Sequence, residues 1–247
     1  MKDRIQKEKD FHNDRFANET RDSLNKYYSV SSLIDEYFHK VLFSTCKGKI
    51  TLEYGCGLGD RSFILAKYSK EVYGIDIAEI AIIKATNEAK IKNLSNIIFK
   101  VMNAEALDFP DNYFDVVCGT SILHHLNLDS SFSELSRILK PGGKAFFIEP
   151  LGHNPLINIF RKFTSSLRTE DEHPLRLKDL KLFNKYFTNV NIKYYYLVSL
   201  FAIPFRKSKN FNTILNFLNR IDQILFKIDF LKIQAWQVVI EVGNSDT

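Results

Sequence analysis

The sequence predicts an α/β protein: an open, mostly parallel sheet with helices on both faces. Three observations carry this. Strand-like apolar runs alternate with helical patterns from Gly48 to Glu149, the signature of parallel strands joined by crossover helices. The first run ends in a turn with glycine at every second position, Gly55, Gly57 and Gly59. At 247 residues the chain is long enough for one domain with elaborations around a substantial core.

Residues 1–46 precede the first strand and read as a helical cap on residues 47–247. Asp10 to Arg21 is charged with Phe11 and Phe16 interspersed, and Ser31 to Phe43 carries Leu33, Ile34, Tyr37, Phe38, Val41 and Leu42 at helical spacing. Tyr27 and Tyr28, between the two helices, are expected either to touch a ligand or to pack the cap on the sheet. Ile50 to Tyr54 is strand one, and a helix starts near Asp60. Val72 to Asp76 is strand two, ending in an acid 17 residues past Gly59. Ala78 to Asn93 follows as a helix with Ile80, Ile83, Ala85 and Ala89 inward. Strand three is Ile97 to Met102 and strand four Tyr113 to Cys118. Asp129 to Lys140 is a helix with Phe132, Leu135 and Leu139 on one face, closed by Pro141-Gly142-Gly143 before strand five, Lys144 to Glu149.

The first turn carries the chemistry. Glycine there takes positive φ and lets the backbone pass close to a ligand. The dinucleotide fingerprint G-x-G-x-x-G places a pyrophosphate at a helix N-terminus. Here the third glycine comes one residue early, and Glu53 stands two before the first. An acid in that position suits an ammonium group and repels phosphate. This turn, with Val72–Asp76, Asn103–Leu107, Thr120–Leu126 and Leu135–Gly143 in order across residues 48–150, resembles the motifs of the class I S-adenosylmethionine-dependent methyltransferases of small-molecule type.

The resemblance implies a Rossmann-like methyltransferase fold of seven strands, the last antiparallel. Leu175–Phe183 fits its next helix, Val190–Val198 the sixth strand and Ala235–Val242 the seventh. It also implies S-adenosylmethionine as cofactor. Gly55, Cys56, Gly57 and Gly59 would approach the methionyl part, Glu53 would orient its ammonium, and Asp76 would hold the ribose with Ile77 against adenine. Asn103, Ala104 and Glu105 would line the adenine edge, with Asn103 where the family usually has Asp. Thr120 would stand near the methyl group.

Two inserts depart from the family pattern, residues 150–174 after strand five and 199–234 between strands six and seven. Both are expected to cover the substrate. The second repeats Phe211, Leu215, Leu218, Ile221, Leu225, Ile228 and Leu231 every three or four residues, which predicts one amphipathic helix from Asn210 to Lys232. Its apolar stripe is expected to pack on its own domain; a dimer interface and a membrane surface stay open.

Histidine titrates near neutrality and can take a proton from an acceptor hydroxyl. His125, after strand four, and His153, in the first insert, are the candidate bases. No Asp/Asn ligand cluster can be assembled from the sequence, so no metal is expected. Residues 151–247 hold 14 Lys and Arg against 8 Asp and Glu, a basic half that suits a solvated face, an anionic substrate, an acidic membrane surface or nucleic acid. The segment after strand four lacks the Asn/Asp-Pro-Pro-aromatic pattern of base-methylating relatives, and no Arg-rich run interleaved with aromatics is present, which argues against nucleic acid. Cys46, Cys56 and Cys118 form no C-x-x-C pair and read as structural thiols in a reducing cytoplasm. Met1 to Asp10 lacks an apolar h-region, so no secretory signal is expected. The expectation is a cytoplasmic methyltransferase, monomer or homodimer, acting on a small-molecule hydroxyl. A lipid-like acceptor at a membrane surface, and a non-catalytic cofactor-binding module serving a partner protein, are the alternatives.

Overall fold

A computed structural model describes residues 2–18, 27–164 and 172–245. Its centre is β1 (Ile50–Tyr54), whose last four residues are all buried. A strand covered on both faces needs apolar side chains in both directions, and this one accommodates Glu53 only by pairing it. β1 lies between β2 (Glu71–Asp76) and β4 (Phe114–Thr120), both parallel to it. β3 (Ile97–Val101), β5 (Leu139–Pro150), β6 (Asn189–Tyr195) and β7 (Gln237–Gly243) complete a seven-stranded sheet of order β3-β2-β1-β4-β5-β7-β6, in which β7 runs antiparallel to its neighbours. The sequence expectation for the sheet holds. The strand order reverses at β1, so the turn after β1 opens into the crevice where such sheets bind ligands.

Alternate residues of the strands feed two cores. On one face Phe147, Val117 and Ile240 pack with Phe132 and Leu135 of α5 (Leu128–Ile138) and Phe183 of α7 (Leu177–Tyr186). On the other, Phe146, Val116 and Val239 pack with Ile34, Phe38 and Leu42 of α2 (Ser32–Thr45) and Leu215 of α8 (Phe211–Leu225). Before α2 come α1 (Lys2–Asn18) and a short 3-10 turn, Tyr27–Val30; the side chains of Tyr27 and Tyr28 lie outside the described residues. α3 (Asp60–Leu65) follows the glycine turn, and α4 (Glu79–Ile91) buries Ala81, Ile82, Ala85 and Ala89. Ile83, expected inward, is 54% exposed.

Three elements differ from the sequence reading for identifiable reasons. α5 ends at Ile138 because the N–H groups of Asn112 and Tyr113 take the carbonyls of Arg137 and Ile138 at 2.9 and 2.8 Å. Leu139 is thereby extended and pairs with Phe114 as the start of β5. β6 stops at Tyr195, since Tyr196 turns to φ 65° and its hydroxyl accepts from the N–H of Ile34 at 3.0 Å. The single helix expected over 210–232 is two, α8 and a four-residue α9 (Asp229–Lys232), broken where Ile228 is extended. Leu215 is buried and Phe211 and Leu218 pack on the core, while Ile228 is 54% exposed.

The insert is held by a buried acid. Asp222 of α8 is fully buried and accepts from the N–H groups of Leu197, Val198 and Ser199 at 3.1, 2.7 and 3.2 Å and from the Ser199 hydroxyl at 2.5 Å. It holds the N-terminus of the 3-10 helix Val198–Phe205 against α8, where a negative charge is favoured. Asp222→Ala is expected to lower stability by about 3 kcal/mol or more, since buried N–H groups lose a charged acceptor. Arg220→Ala, on the exposed side of the same helix, is expected to stay within about 0.5 kcal/mol of the parent. Urea denaturation of the pair checks both.

Candidate functional site

A cavity of about 280 Å³ opens at the carboxyl ends of β1, β2 and β4, under α1. Its floor is the glycine turn. Gly55 and Gly57 have φ of 61° and 53°, the left-handed region. The Gly57 N–H donates to Asp76 Oδ2 at 2.9 Å and the Ala78 N–H to Asp76 Oδ1 at 2.9 Å, so the turn after β1 and the end of β2 are pinned by one carboxylate. A Cβ on Gly57 would come within 3.2 Å of the Phe16 ring of α1.

The wall beyond β3 is a tight turn. Asn103 Oδ1 accepts from the Glu105 N–H at 3.0 Å, so the amide does the local work of the expected Asp. Glu105 Oε1 accepts from the Asn127 N–H at 2.8 Å and from Arg4 of α1. Arg4 also donates to the carbonyl of His125 at 2.7 Å. These contacts tie α1 to two loops of the sheet's ligand-binding edge.

Of the residues expected at the cofactor, Gly55, Gly57, Asp76, Ile77, Asn103, Ala104, Glu105 and Thr120 line the cavity. Glu53, Cys56 and Gly59 stand behind its surface. Glu53 accepts from the Ser62 hydroxyl and lies 3.5 Å from Arg61 Nη1, which donates to Thr120 Oγ1 at 2.5 Å. Burial pushes the Glu53 carboxyl up, against the pull of Arg61 and Ser62. Its ordering effect on the site therefore runs through Arg61 and Thr120. Cys56 faces Gly74 below the turn, and burial raises its thiol well above the usual range. Gly59, at φ 85°, starts α3, and a Cβ there would meet the Phe99 ring at 2.7 Å.

The two candidate bases separate. His125 lines the cavity, with Nδ1 3.3 Å from Glu8 Oε2. His153 is not among the lining residues; its Nε2 accepts from the Leu177 N–H at 3.0 Å. His124 lies 2.6 Å through Nδ1 from fully buried Glu149, which also accepts from the N–H groups of Ile122 and Leu123 at 2.9 and 2.8 Å. His124 thus fixes the turn on which His125 sits.

Sequence reasoning missed Arg4, Glu8 and His12, which α1 brings to the cavity, and Asp60 and Ser121 on the sheet side. The available signal was the spacing of Glu8 and His12, four residues apart and so on one helical face. Ser121 adopts φ 54°, an uncommon conformation for a non-glycine residue, beside Thr120 at the cavity edge.

Residues 52–147 match the family model of a methyltransferase domain. The chain is 36% identical over 104 residues to ubiquinone biosynthesis O-methyltransferase of Coxiella burnetii, covering 42% of this chain and 44% of that protein. It is 35% identical over 120 residues to demethylmenaquinone methyltransferase of Staphylococcus carnosus, covering 47% and 48%. The chain thus spans somewhat under half the length of these curated relatives. Among solved structures, phosphoethanolamine N-methyltransferase 2 of Haemonchus contortus in complex with S-adenosyl-L-methionine superposes with a TM-score of 0.67 at 16% identity, over 95% of this chain and 60% of that one, a likeness of fold. The matched segment contains the glycine turn, Asp76, Asn103 and Thr120, the residues that shape the cavity floor and wall, so the part of the chain that builds the cavity is the part that resembles a methyltransferase domain.

Proposed function

We propose that this protein binds S-adenosylmethionine in the cavity under α1 and transfers its methyl group to a hydroxyl of a small-molecule acceptor. The observation that carries the reading is the cavity itself: a positive-φ glycine turn hydrogen-bonded to Asp76, with Asn103–Glu105 on one side and Thr120 and His125 on the other. These residues fit the cofactor. Gly55 and Gly57 leave room for the methionyl chain, the second lone pairs of Asp76 can accept from ribose hydroxyls, and Ile77 and Met102 offer apolar surface to adenine. The cofactor supplies an activated methyl group when bound. The protein then has to orient the acceptor, exclude water and receive a proton. The acceptor hydroxyl would lie against His125, which takes its proton as the oxygen bonds the methyl carbon and the methyl–sulfur bond breaks. The relatives' names favour an oxygen or quinone-ring acceptor over a nucleic-acid base.

One observation favours a second reading, an acceptor with a lipid-like tail. The inserts expose large apolar side chains: Leu156 and Phe163 of α6 (Pro155–Phe163), Phe201, Phe217 and Phe230 are each more than 60% exposed. No helix among the described residues is long and apolar enough to cross a membrane. Co-sedimentation with vesicles separates the readings. Binding lost in Phe163→Asp and Phe217→Asp supports the lipid-like acceptor, and its absence in the parent protein removes it.

Calorimetry is expected to show binding of S-adenosylmethionine and of S-adenosylhomocysteine. Asp76→Ala should weaken both by about 10- to 100-fold, the worth of one or two hydrogen bonds to a charged group. Gly57→Val should abolish binding, because a β-branched residue at φ 53° is strained and its side chain meets Phe16. Preference for NAD, or unchanged affinity in Gly57→Val, would overturn the assignment.

His125→Ala is expected to keep cofactor affinity while turnover falls by ~10²–10⁴-fold, the usual worth of a group that handles the transferred proton. His153→Ala should turn over within a few-fold of the parent, since its ring nitrogen serves the start of α7. Equal losses in both variants would contradict the placement of the acceptor.

A further inference from the structure

We propose that Glu8, His12 and His125 form a site for a divalent cation of the zinc type at the acceptor end of the cavity. Glu8 and His12 project from one face of α1, and His125 comes from the turn after β4. Glu8 Oε2 lies 3.4 Å from His12 Nε2 and 3.3 Å from His125 Nδ1. These are tetrahedral-edge spacings: two ligand atoms, each about 2.0–2.1 Å from one zinc ion, stand about 3.3–3.4 Å apart. One candidate ligand atom from each residue falls within 4.8 Å of the other two.

The same contacts make poor hydrogen bonds. His125 Nδ1 is buried and makes no hydrogen bond among the described residues, although a carboxylate oxygen is 3.3 Å away. One residue earlier, His124 Nδ1 meets Glu149 at 2.6 Å, the distance an imidazole–carboxylate hydrogen bond adopts when it forms. A cation shared between the two groups would account for the difference. Two imidazoles and a carboxylate are also a ligand set of catalytic zinc sites, which keep a fourth position open.

All three residues line the cavity, so the open position faces the acceptor. This part of the proposal rests on the methyl-transfer reading. The cation would bind the acceptor oxygen and lower the pKa of its hydroxyl, as it does for bound water. The O–H bond would break with the proton leaving to solvent, and the oxygen would use the retained electron pair to bond the methyl carbon as the methyl–sulfur bond breaks, its pair going to sulfur. With the cation bound, His125 serves as a ligand in place of its role as proton acceptor, and its loss removes the ionising centre. Because two ligands ride on α1 and the third on the sheet's edge, the cation would also fasten α1 over the cavity. Sequence reading missed the site because Glu8 and His12 are more than a hundred residues from His125.

The test uses tag-free, chelator-treated full-length protein without cofactor. Calorimetric titration with Zn²⁺ is expected to show one high-affinity site, and Co²⁺ is expected to give the strong visible absorption of a four- or five-coordinate centre. Glu8→Gln and His12→Gln should each weaken Zn²⁺ binding at least ~100-fold, beyond the ~10–100-fold that loss of an outer-shell partner costs. Glu172→Gln, in the neighbouring cluster with His124 and His125, should bind as the parent does. Absence of Zn²⁺ binding in the parent, or binding that survives both α1 substitutions, overturns the proposal. Should those variants fail to fold, a weak octahedral Co²⁺ spectrum in the parent overturns it alone. S-adenosylhomocysteine is titrated into the same sample: its binding without Zn²⁺ binding removes the cation site and leaves methyl transfer standing, and the reverse result removes methyl transfer and leaves the site.

Discussion

The bond from the Gly57 N–H to the Asp76 carboxylate is the contact on which the site depends. β1 and β2 are neighbours in register, but register alone fixes only the strands. The turn beyond β1 has three positive-φ glycines, whose backbone has little intrinsic preference for one shape. An acid at the end of the next strand gives that turn a fixed acceptor, and its other oxygen takes the Ala78 N–H. A hydrogen bond to a charged group is among the stronger ones available, and here it joins two strand ends across the mouth of the cavity. The same carboxylate therefore anchors the turn and also lines the cavity.

A second network works behind the surface. Glu53 is buried on the central strand, where an unpaired carboxylate would be costly. Ser62 and Arg61 of α3 satisfy it, and Arg61 reaches on to Thr120 at the end of β4. The chain of contacts runs β1, α3, β4 and so aligns three elements around the cavity. It explains how an acid can shape a ligand site without lining it. Burial and the Arg61 charge act in opposite directions on this group, and burial prevails.

The helix that precedes the sheet completes the site. α1 has a polar sequence with no strong apolar stripe, and its attachment is made of specific contacts: Arg4 to Glu105 and to the His125 carbonyl, and Lys84 Nζ to the Phe16 carbonyl at 2.8 Å. Such contacts are polar and depend on single partners, unlike the apolar packing that holds α2. The inserts are held differently. α8 is locked by Asp222 and by Leu215 in the core, leaving Phe217 and Ile224 outward.

The sequence by itself determined the sheet, the position of the glycine turn and the acid at the end of β2, because alternation, glycine spacing and strand-end acids are local signals read over a few residues. It also located the cavity-lining segments Asn103–Glu105 and Thr120–His125. Only the tertiary structure decided which of these side chains face the cavity. Glu53 and Cys56 look equivalent to Gly55 along the chain, yet pleating and the tightness of the turn direct both behind the surface. His125 and His153 were equal candidates until packing gave one a carboxylate across the cavity and the other a backbone N–H. Glu8 and His12 carried only their shared helical face as a signal, since their partner His125 lies more than a hundred residues away. The break in the helical insert, at an extended Ile228, and the early end of α5 were equally hidden: the periodicity runs on through both, and α5 is stopped by N–H groups of Asn112 and Tyr113, some 25 residues away along the chain.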